Sequence, residues 1–304
     1  MVENMIELIH TRDELKKLKA QYLESHPLAT VGLVPTMGNL HEGHISLLEK
    51  SLQENDLTIL TIFVNPKQFG PNEDFQKYPR TLDADVAKIT KLFFEFSNKN
   101  ENVSRSVLIF APQNEEEIYT PGFSSLISVG NITQILCGKF RPTHFDGVTT
   151  VVYKLFKIAE PNNAYFGQKD YQQCIVIQKM VNDLELGIKL HFFPIIRNAN
   201  GLALSSRNQY LSEQDQEEAL KLHRSLIILK NIFLQETSLE VAMEKATRLQ
   251  NDFLQDTRYD YLEILDGNTL LKVNPQSTKI AILGVLRLNG TRLLDNEVID
   301  LHVR

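Results

Sequence analysis

The chain has 304 residues, 42% of them hydrophobic, enough to bury one large core or two. Acidic residues outnumber basic ones by 38 to 32, and the resulting net charge of -6 has the wrong sign for an electrostatic grip on nucleic acid. Two cysteines, Cys137 and Cys174, without a Cys-x-x-Cys pair, indicate neither a disulfide framework nor a thiolate zinc site, and no window nears the ~18 apolar residues of a membrane span. A cytoplasmic protein with neither nucleic acid nor membrane as partner is expected.

From Leu28 onward, short apolar runs alternate with stretches of helical period. "ATVGLVP" reads as a buried strand, and "HISLLEKSL" puts Ile45, Leu48 and Leu52 on one helical face. "LTILTIFVNP" is a strand stopped by Pro66, "TLDADVAKITKLF" a helix, and "VLIFAP" a strand. The polar stretch Ser97 to Arg105 reads as a solvated loop. "VTTVVYKLFKIAEP" is ambiguous: its β-branched start argues strand, its length argues helix, and length decides for helix. "AYFG", "QQCIVIQKMVNDL" and "KLHFFPII" complete the alternation, which is the pattern of a parallel sheet covered on both faces.

After Pro194 the order changes. Ser212 and Asp215 form a capping box ahead of "EEALKLHRSLIILKNIF", and Thr237 with Glu240 is read as a similar cap for "LEVAMEKATRLQNDFL". Two strand-like segments, "YDYLEIL" and "KIAILGVLRLN", follow, so helices precede strands. The expected organisation is an α/β domain over 1–194 and a smaller α+β domain over 195–304.

The chemistry starts at "TMGNLHEGH". His41 and His44 are three residues apart, whereas a helical zinc pair needs four, and no third ligand is near. A buried structural role is the plain alternative, weakened because Gly38 and Gly43 flank the pair where a strand turns into a helix. A phosphate site fits best. The helix N-terminus offers N–H groups and a positive dipole end, and two imidazoles there can donate to phosphate oxygens as charge moves.

"PTMGNLHEGHISLL", "FVNPKQF", "YPRTLDADV", "RPTHFDGVTTVV", "AYFGQKDYQQ", "LALSSRN" and "TRLLDN" occur in the order found in the pantothenate synthetases (pantoate–β-alanine ligases), and the chain resembles that family from its N-terminal region to its last strand. The resemblance implies a Rossmann-like doubly wound parallel sheet of the nucleotidyltransferase class, a smaller C-terminal α+β domain and a homodimer. It also implies a two-step reaction. ATP and (R)-pantoate give pantoyl adenylate and pyrophosphate, and β-alanine then displaces AMP to give pantothenate. Another adenylyl- or cytidylyltransferase of the His-x-x-His class is the alternative, against which Gln68 and the "KDYQQ" run argue.

By this resemblance His44 is a proton donor with His41 as its companion. ATP is met by Met37, Gly38, Asn39, Leu40, His41, Glu42, Gly43 and His44, by Gly167, Gln168, Lys169 and Asp170, by Ile196, and by a closing loop of Leu204, Ser205, Ser206 and Arg207. Lys169 brings a point charge to the α-phosphate and Arg207 a planar fork, where each would otherwise be a solvated surface cation. Gln68 and Gln173 both donate and accept, which suits a small dihydroxy acid, and Asn65, Tyr78, Arg141 and His144 line the same pocket. Asp85 is a candidate ligand for the magnesium that accompanies ATP; otherwise it is an ordinary first-turn acid. Thr143, Gln168 and Asn200 depart from the family pattern, where Gly, Glu and Asp are usual.

Overall fold

Apolar runs without alternation, such as Val31–Val34 and Leu57–Leu60, bury both faces of a strand only inside a covered sheet. The computed structural model, which describes residues 5–71, 73–100 and 105–301, builds that sheet. Two compact units form, one of Met1–Gly167 with Val176–Pro194 and one of Gln168–Ile175 with Ile195–Arg304. Gln168–Ile175, taken above with the first domain, groups with the second unit.

In the first unit, β1 (Met5–Ile9), β2 (Val31–Thr36), β3 (Leu57–Ile62), β4 (Ser106–Phe110), β5 (Asn163–Gly167) and β6 (Lys189–Phe193) make one parallel sheet in the order β1-β4-β3-β2-β5-β6. The winding reverses between β2 and β5, the switch point at which doubly wound sheets bind ligands beyond the strand ends. Helices α1 (Arg12–Ser25), α2 (Glu42–Glu54), α3 (Leu82–Lys99), the single turn α4 (Cys137–Phe140) and α5 (His144–Ala159) join the strands. The following helix, α6 (Tyr171–Asp183), begins in the residues of the second unit. Among the described residues no helix is long and apolar enough to cross a membrane.

The ambiguous β-branched run is helical, as its length predicts. Val148 to Val152 are all buried in α5, and Thr149 Oγ1 donates back to the Phe145 carbonyl at 2.7 Å, so packing outweighs the stiffness of the branched side chains. The predicted solvated loop from Ser97 is corrected. α3 continues to Lys99 because Phe96 is buried, Asn100 caps it by donating to the Phe96 carbonyl at 2.8 Å, and Arg105 is tied to the Leu52 carbonyl and to Asp56. Residues 101–104 lie outside the described residues.

The second unit stacks α7 (Glu213–Gln235) and α8 (Leu239–Phe253) on an antiparallel sheet of β7 (Tyr259–Asp266), β8 (Lys279–Leu288) and β9 (Thr291–Asp300). Leu226, Leu229 and Phe233 of α7 meet Leu262, Ile282 and Leu286 in its core. The Ser212–Asp215 capping box forms as predicted, whereas α8 is capped by Ser238, one residue after the expected Thr237. β9 is a third strand where two were expected. It is joined to β8 by Asn289 and Gly290, both at positive φ, the pairing that a two-residue hairpin turn requires.

A partly buried polar ladder locks α2 to β5 and β6. Asn163 Nδ2 donates to Asn55 Oδ1 at 2.7 Å, Asn55 Nδ2 to the Tyr165 hydroxyl at 2.7 Å, and that hydroxyl to Glu54 at 2.9 Å. His191 stacks on Tyr165 with ring centres 4.8 Å apart and donates from Nε2 to Asn163 Oδ1 at 3.0 Å. Burial pushes the His191 pKa below its ordinary 6.5, only partly opposed by Glu54. The unfolded chain therefore binds the proton first as pH falls, so this contribution to stability is present above pH 6.5 and is lost as pH drops toward the folded value. His191→Gln should flatten that part of the melting-temperature profile between pH 7 and 5, whatever its effect at pH 8; parallel profiles for the two proteins would contradict the assignment.

Candidate active site

Where β2 ends, the chain must reverse from strand to helix within a few residues. Gly38 (φ +81°) and Asn39 (φ +49°) both take left-handed backbone, which glycine adopts freely and asparagine more readily than most. A side chain at Gly38 would lie 3.0 Å from Ile62 and 3.2 Å from Asp85. Asp85, fully buried at the start of α3, accepts from the Asn39 N–H at 2.8 Å, the Leu40 N–H at 2.7 Å and the Thr81 hydroxyl at 3.1 Å. Lys88 donates to the Leu40 carbonyl at 2.5 Å. The metal assignment of Asp85 is thus corrected: both of its oxygens are committed to the turn, out of reach of solvent. No cluster of three or more His, Cys, Asp or Glu among the described residues could hold a metal ion.

His41 is the N-cap of α2, and the two histidines cap each other's turn. The Gly43 N–H donates to His41 Nδ1 at 3.2 Å and the His41 N–H to His44 Nδ1 at 3.3 Å, with the rings 4.1 Å apart. An imidazole nitrogen that accepts carries no proton, so in each neutral ring the proton sits on Nε2. The helix N-terminus is therefore not the set of open amides expected from the sequence. The His44 and Ile45 N–H groups are already bonded to the His41 carbonyl, and the imidazoles extend the helix's positive end outward.

Met37 joins this turn to the predicted acid-binding residues. Its sulfur accepts from Gln68 Nε2 at 3.0 Å, and Gln68 Oε1 accepts from Asn65 Nδ2 at 3.1 Å. Asn65 is buried, with Oδ1 taken by the Tyr119 hydroxyl at 2.8 Å and Nδ2 shared with the Gly147 carbonyl. Burial pushes the Tyr119 phenol well above its ordinary range, so it stays a donor. Asn65 therefore supports Gln68 through its amide. Tyr78 is buried edge-on against Phe69. The backbone of 67–68 lies so close to α5 that a side chain at Gly147 would come within 2.1 Å of the Lys67 carbonyl.

Arg141 and His144 grip the same loop. Arg141 meets Glu73 through two nitrogens, at 2.8 and 2.5 Å, and donates to His144 Nε2 at 3.0 Å, while His144 Nδ1 donates to the Gln68 carbonyl at 2.8 Å. Because a guanidinium only donates and a carbonyl only accepts, His144 here is neutral with its proton on Nδ1. Burial pushes Glu73 up, but the bonds and charge of Arg141 outweigh it and hold the carboxyl below its ordinary range. Glu73 was not singled out from the sequence; an acid between "FVNPKQF" and "YPRT" was the available signal for a partner to Arg141. Thr143 stands at φ +68°, where an L-residue costs roughly 1–2 kcal/mol relative to glycine.

The remaining site residues belong to the second unit, apart from Gly167, the last residue of β5. Gln168–Asp170 is a 3-10 turn, with Lys169 Nζ 3.9 Å from Asp170. Both carbonyls of the turn's first two residues accept from Asn296, so the departure at Gln168 leaves its backbone role intact. Gln173 is half-buried in the first turns of α6. Ile196 and Leu204 pair across a short hairpin, the Leu204 N–H donating to the Ile196 carbonyl at 2.9 Å, and Asn200 is exposed at its turn. Ser205, Ser206 and Arg207 follow directly, each half-buried, with the Arg207 N–H donating to Ser205 Oγ at 3.3 Å.

Asp85→Asn keeps the shape of the side chain but turns an acceptor into a donor facing a backbone N–H. It should lower stability by about 1–3 kcal/mol in buffer without divalent cations, read from the denaturant midpoint. An unchanged midpoint would detach Asp85 from the turn.

A family profile for pantoate-beta-alanine ligase matches residues 7–298. The chain is 41% identical to pantothenate synthetase of Thermotoga petrophila over 295 residues, covering 97% of this chain and 100% of the relative. It is 42% identical to that of Moorella thermoacetica over 273 residues, covering 90% and 92%. Among solved structures, pantothenate synthetase of Thermus thermophilus aligns with a TM-score of 0.82 and 37% identity over 96% of this chain and 99% of that one. The Francisella tularensis pantoate-beta-alanine ligase, complexed with beta-gamma ATP and beta-alanine, aligns with a TM-score of 0.68 and 33% identity over 97% of each. By profile, sequence and fold, the chain belongs to the pantoate–β-alanine ligase family.

Proposed function

We propose that the His41–His44 turn binds the phosphates of ATP and that the Gln68 cluster binds pantoate, with Lys169 and Arg207 completing the phosphate contacts. The chain is an AMP-forming ligase of pantothenate biosynthesis that joins pantoate to β-alanine with ATP. The observation that carries this reading is the Met37–Gln68 bond, which couples the loop of the histidine pair to the group best suited to a hydroxy acid. Another nucleotidyltransferase of the same histidine class is not favoured, because the match to the ligase family spans nearly the whole chain.

A carboxylate resists attack by an amine until its oxygen becomes a leaving group. The pantoate carboxylate attacks the α-phosphorus and pyrophosphate departs; the β-alanine nitrogen then attacks the acyl carbon, the bond to AMP breaks and the amine loses a proton. The Nε2–H groups of His41 and His44 donate to phosphate oxygens, with His44 the proton source as charge builds on the departing pyrophosphate. Lys169 meets the α-phosphate as a compact charge, where its help grows toward the pentacoordinate arrangement. Arg207, with the Ser205 and Ser206 hydroxyls, covers the outer phosphates from the 204–207 loop. Gly167 to Asp170 and Ile196 supply backbone beside the nucleotide, and Gln173 joins Gln68 at the acid.

In this reading residues 1–194 form the ATP- and pantoate-binding domain, and 195–304 the domain that carries the closing loop. Magnesium accompanying ATP would supply neutralisation of phosphate charge, with no direct protein ligand assigned to it. A cytoplasmic homodimer completes the reading, as the family resemblance implies. With ATP, magnesium and pantoate but no β-alanine, the protein should exchange labelled pyrophosphate into ATP, and adding β-alanine should yield AMP and pantothenate. Overall activity without exchange would exclude the two-step order.

A further inference from the structure

"TRLLDN" belongs to the family resemblance, yet none of the chemistry above uses it. Its last two residues lie next to each other on β9, where successive side chains face opposite sides of the sheet. Asp295 is buried and accepts from both terminal nitrogens of Arg197, at 2.7 and 2.9 Å, while Arg197 also donates to the Gly201 carbonyl. That pairing fixes the hairpin leading into Leu204–Arg207. Asn296, 2% exposed, donates from Nδ2 to the carbonyls of Gln168 at 3.0 Å and Lys169 at 2.8 Å. One dipeptide of β9 thus anchors the two segments that carry Lys169 and Arg207, the cations proposed to meet phosphate.

We propose that Asn296 is a positioning residue for Lys169. The inference rests on the reading that Lys169 meets the α-phosphate. A lysine side chain is long and flexible, so its ammonium is only as well placed as the backbone that carries it. An amide NH2 has two N–H groups, and here each takes one of two successive carbonyls, so rotating either peptide of the turn breaks a bond. The next residues are held independently, since the Tyr171 hydroxyl donates to the Gly267 carbonyl at 2.7 Å. Asn296 Oδ1 is buried without a hydrogen-bond partner. The amide's bonds here are thus made by its NH2 group, to the Gln168 and Lys169 carbonyls.

The test is a double-mutant cycle in single-turnover formation of pantoyl adenylate, with ATP affinity by titration and folding by thermal melting, all measured well below each variant's melting temperature. Asn296→Ala should slow the step by about 10- to 100-fold, the order expected when a reacting group is misplaced by about 1 Å, and leave ATP affinity within about threefold. Asn296→Asp, equal in shape but without the two donors, should not restore the rate. In the Lys169→Ala background the same Asn296→Ala change should add less than about twofold. If Lys169→Ala is slow and Asn296→Ala still adds its full loss, Asn296 acts elsewhere and the proposal fails while the reading of Lys169 stands. A near-normal rate for Lys169→Ala would instead overturn that reading, and the proposal with it. Near-normal Asn296→Ala, or failure of both Asn296 variants to fold, would make Asn296 a strut of β9 and overturn the proposal alone.

Discussion

The reciprocal capping of α2 by His41 and His44 is the constraint on which the proposed phosphate end of the site depends. Each Nδ1 accepts a backbone N–H, at 3.2 and 3.3 Å, so the chain itself selects the tautomer of both rings. A helix N-terminus ordinarily meets anions with its open amides. Here part of that polarity is relayed through two imidazoles, which reach further than an amide and also carry a transferable proton. The relay requires a turn that stays shut, and the buried carboxylate of Asp85 shuts it by taking the Asn39 and Leu40 N–H groups.

The same arrangement recurs at each proposed contact: a group meant for substrate is supported by a buried polar group that is not. Gln68 rests on Asn65, which rests on Tyr119. The loop of Gln68 is held by Arg141 and His144, which are in turn held by Glu73. In the second unit Asp295 secures Arg197 before the 204–207 loop, and Asn296 secures the turn of Lys169. Pre-organised supports of this kind reduce the rearrangement left for the moment of reaction. Several site residues singled out from the sequence, Asn65 and Asp85 among them, are supports of this kind.

Much of the fold was legible because periodicity and burial act locally. The runs of β2, β3 and β4 read as buried strands, and the length of α5 overrode its β-branched start. β1 and β9 were harder. "MIELI" is a short edge strand that pairs with β4 about a hundred residues away, and "TRLLDNEVID" hides its apolar face among acids whose partners, Arg197 and Lys230, lie far off in sequence. The Asn289-Gly290 turn was the local signal that β9 offered. At the site, the histidine pair and its glycines marked the strand-to-helix turn that the fold builds. Asp85 misled because a first-turn acid looks the same whether it faces solvent, a metal or two buried amides, and only the fold brings residues 39 and 85 together.

The tautomers of His41 and His44 test the account most directly. Long-range proton–nitrogen correlation spectra of the imidazoles at neutral pH, assigned with His41→Gln and His44→Gln, report which nitrogen of each ring is protonated. The capping geometry predicts Nε2–H in both rings, with both Nε2 resonances moving when ATP and magnesium are added. A proton on Nδ1 in either ring, or rings unmoved by saturating ATP, would contradict it.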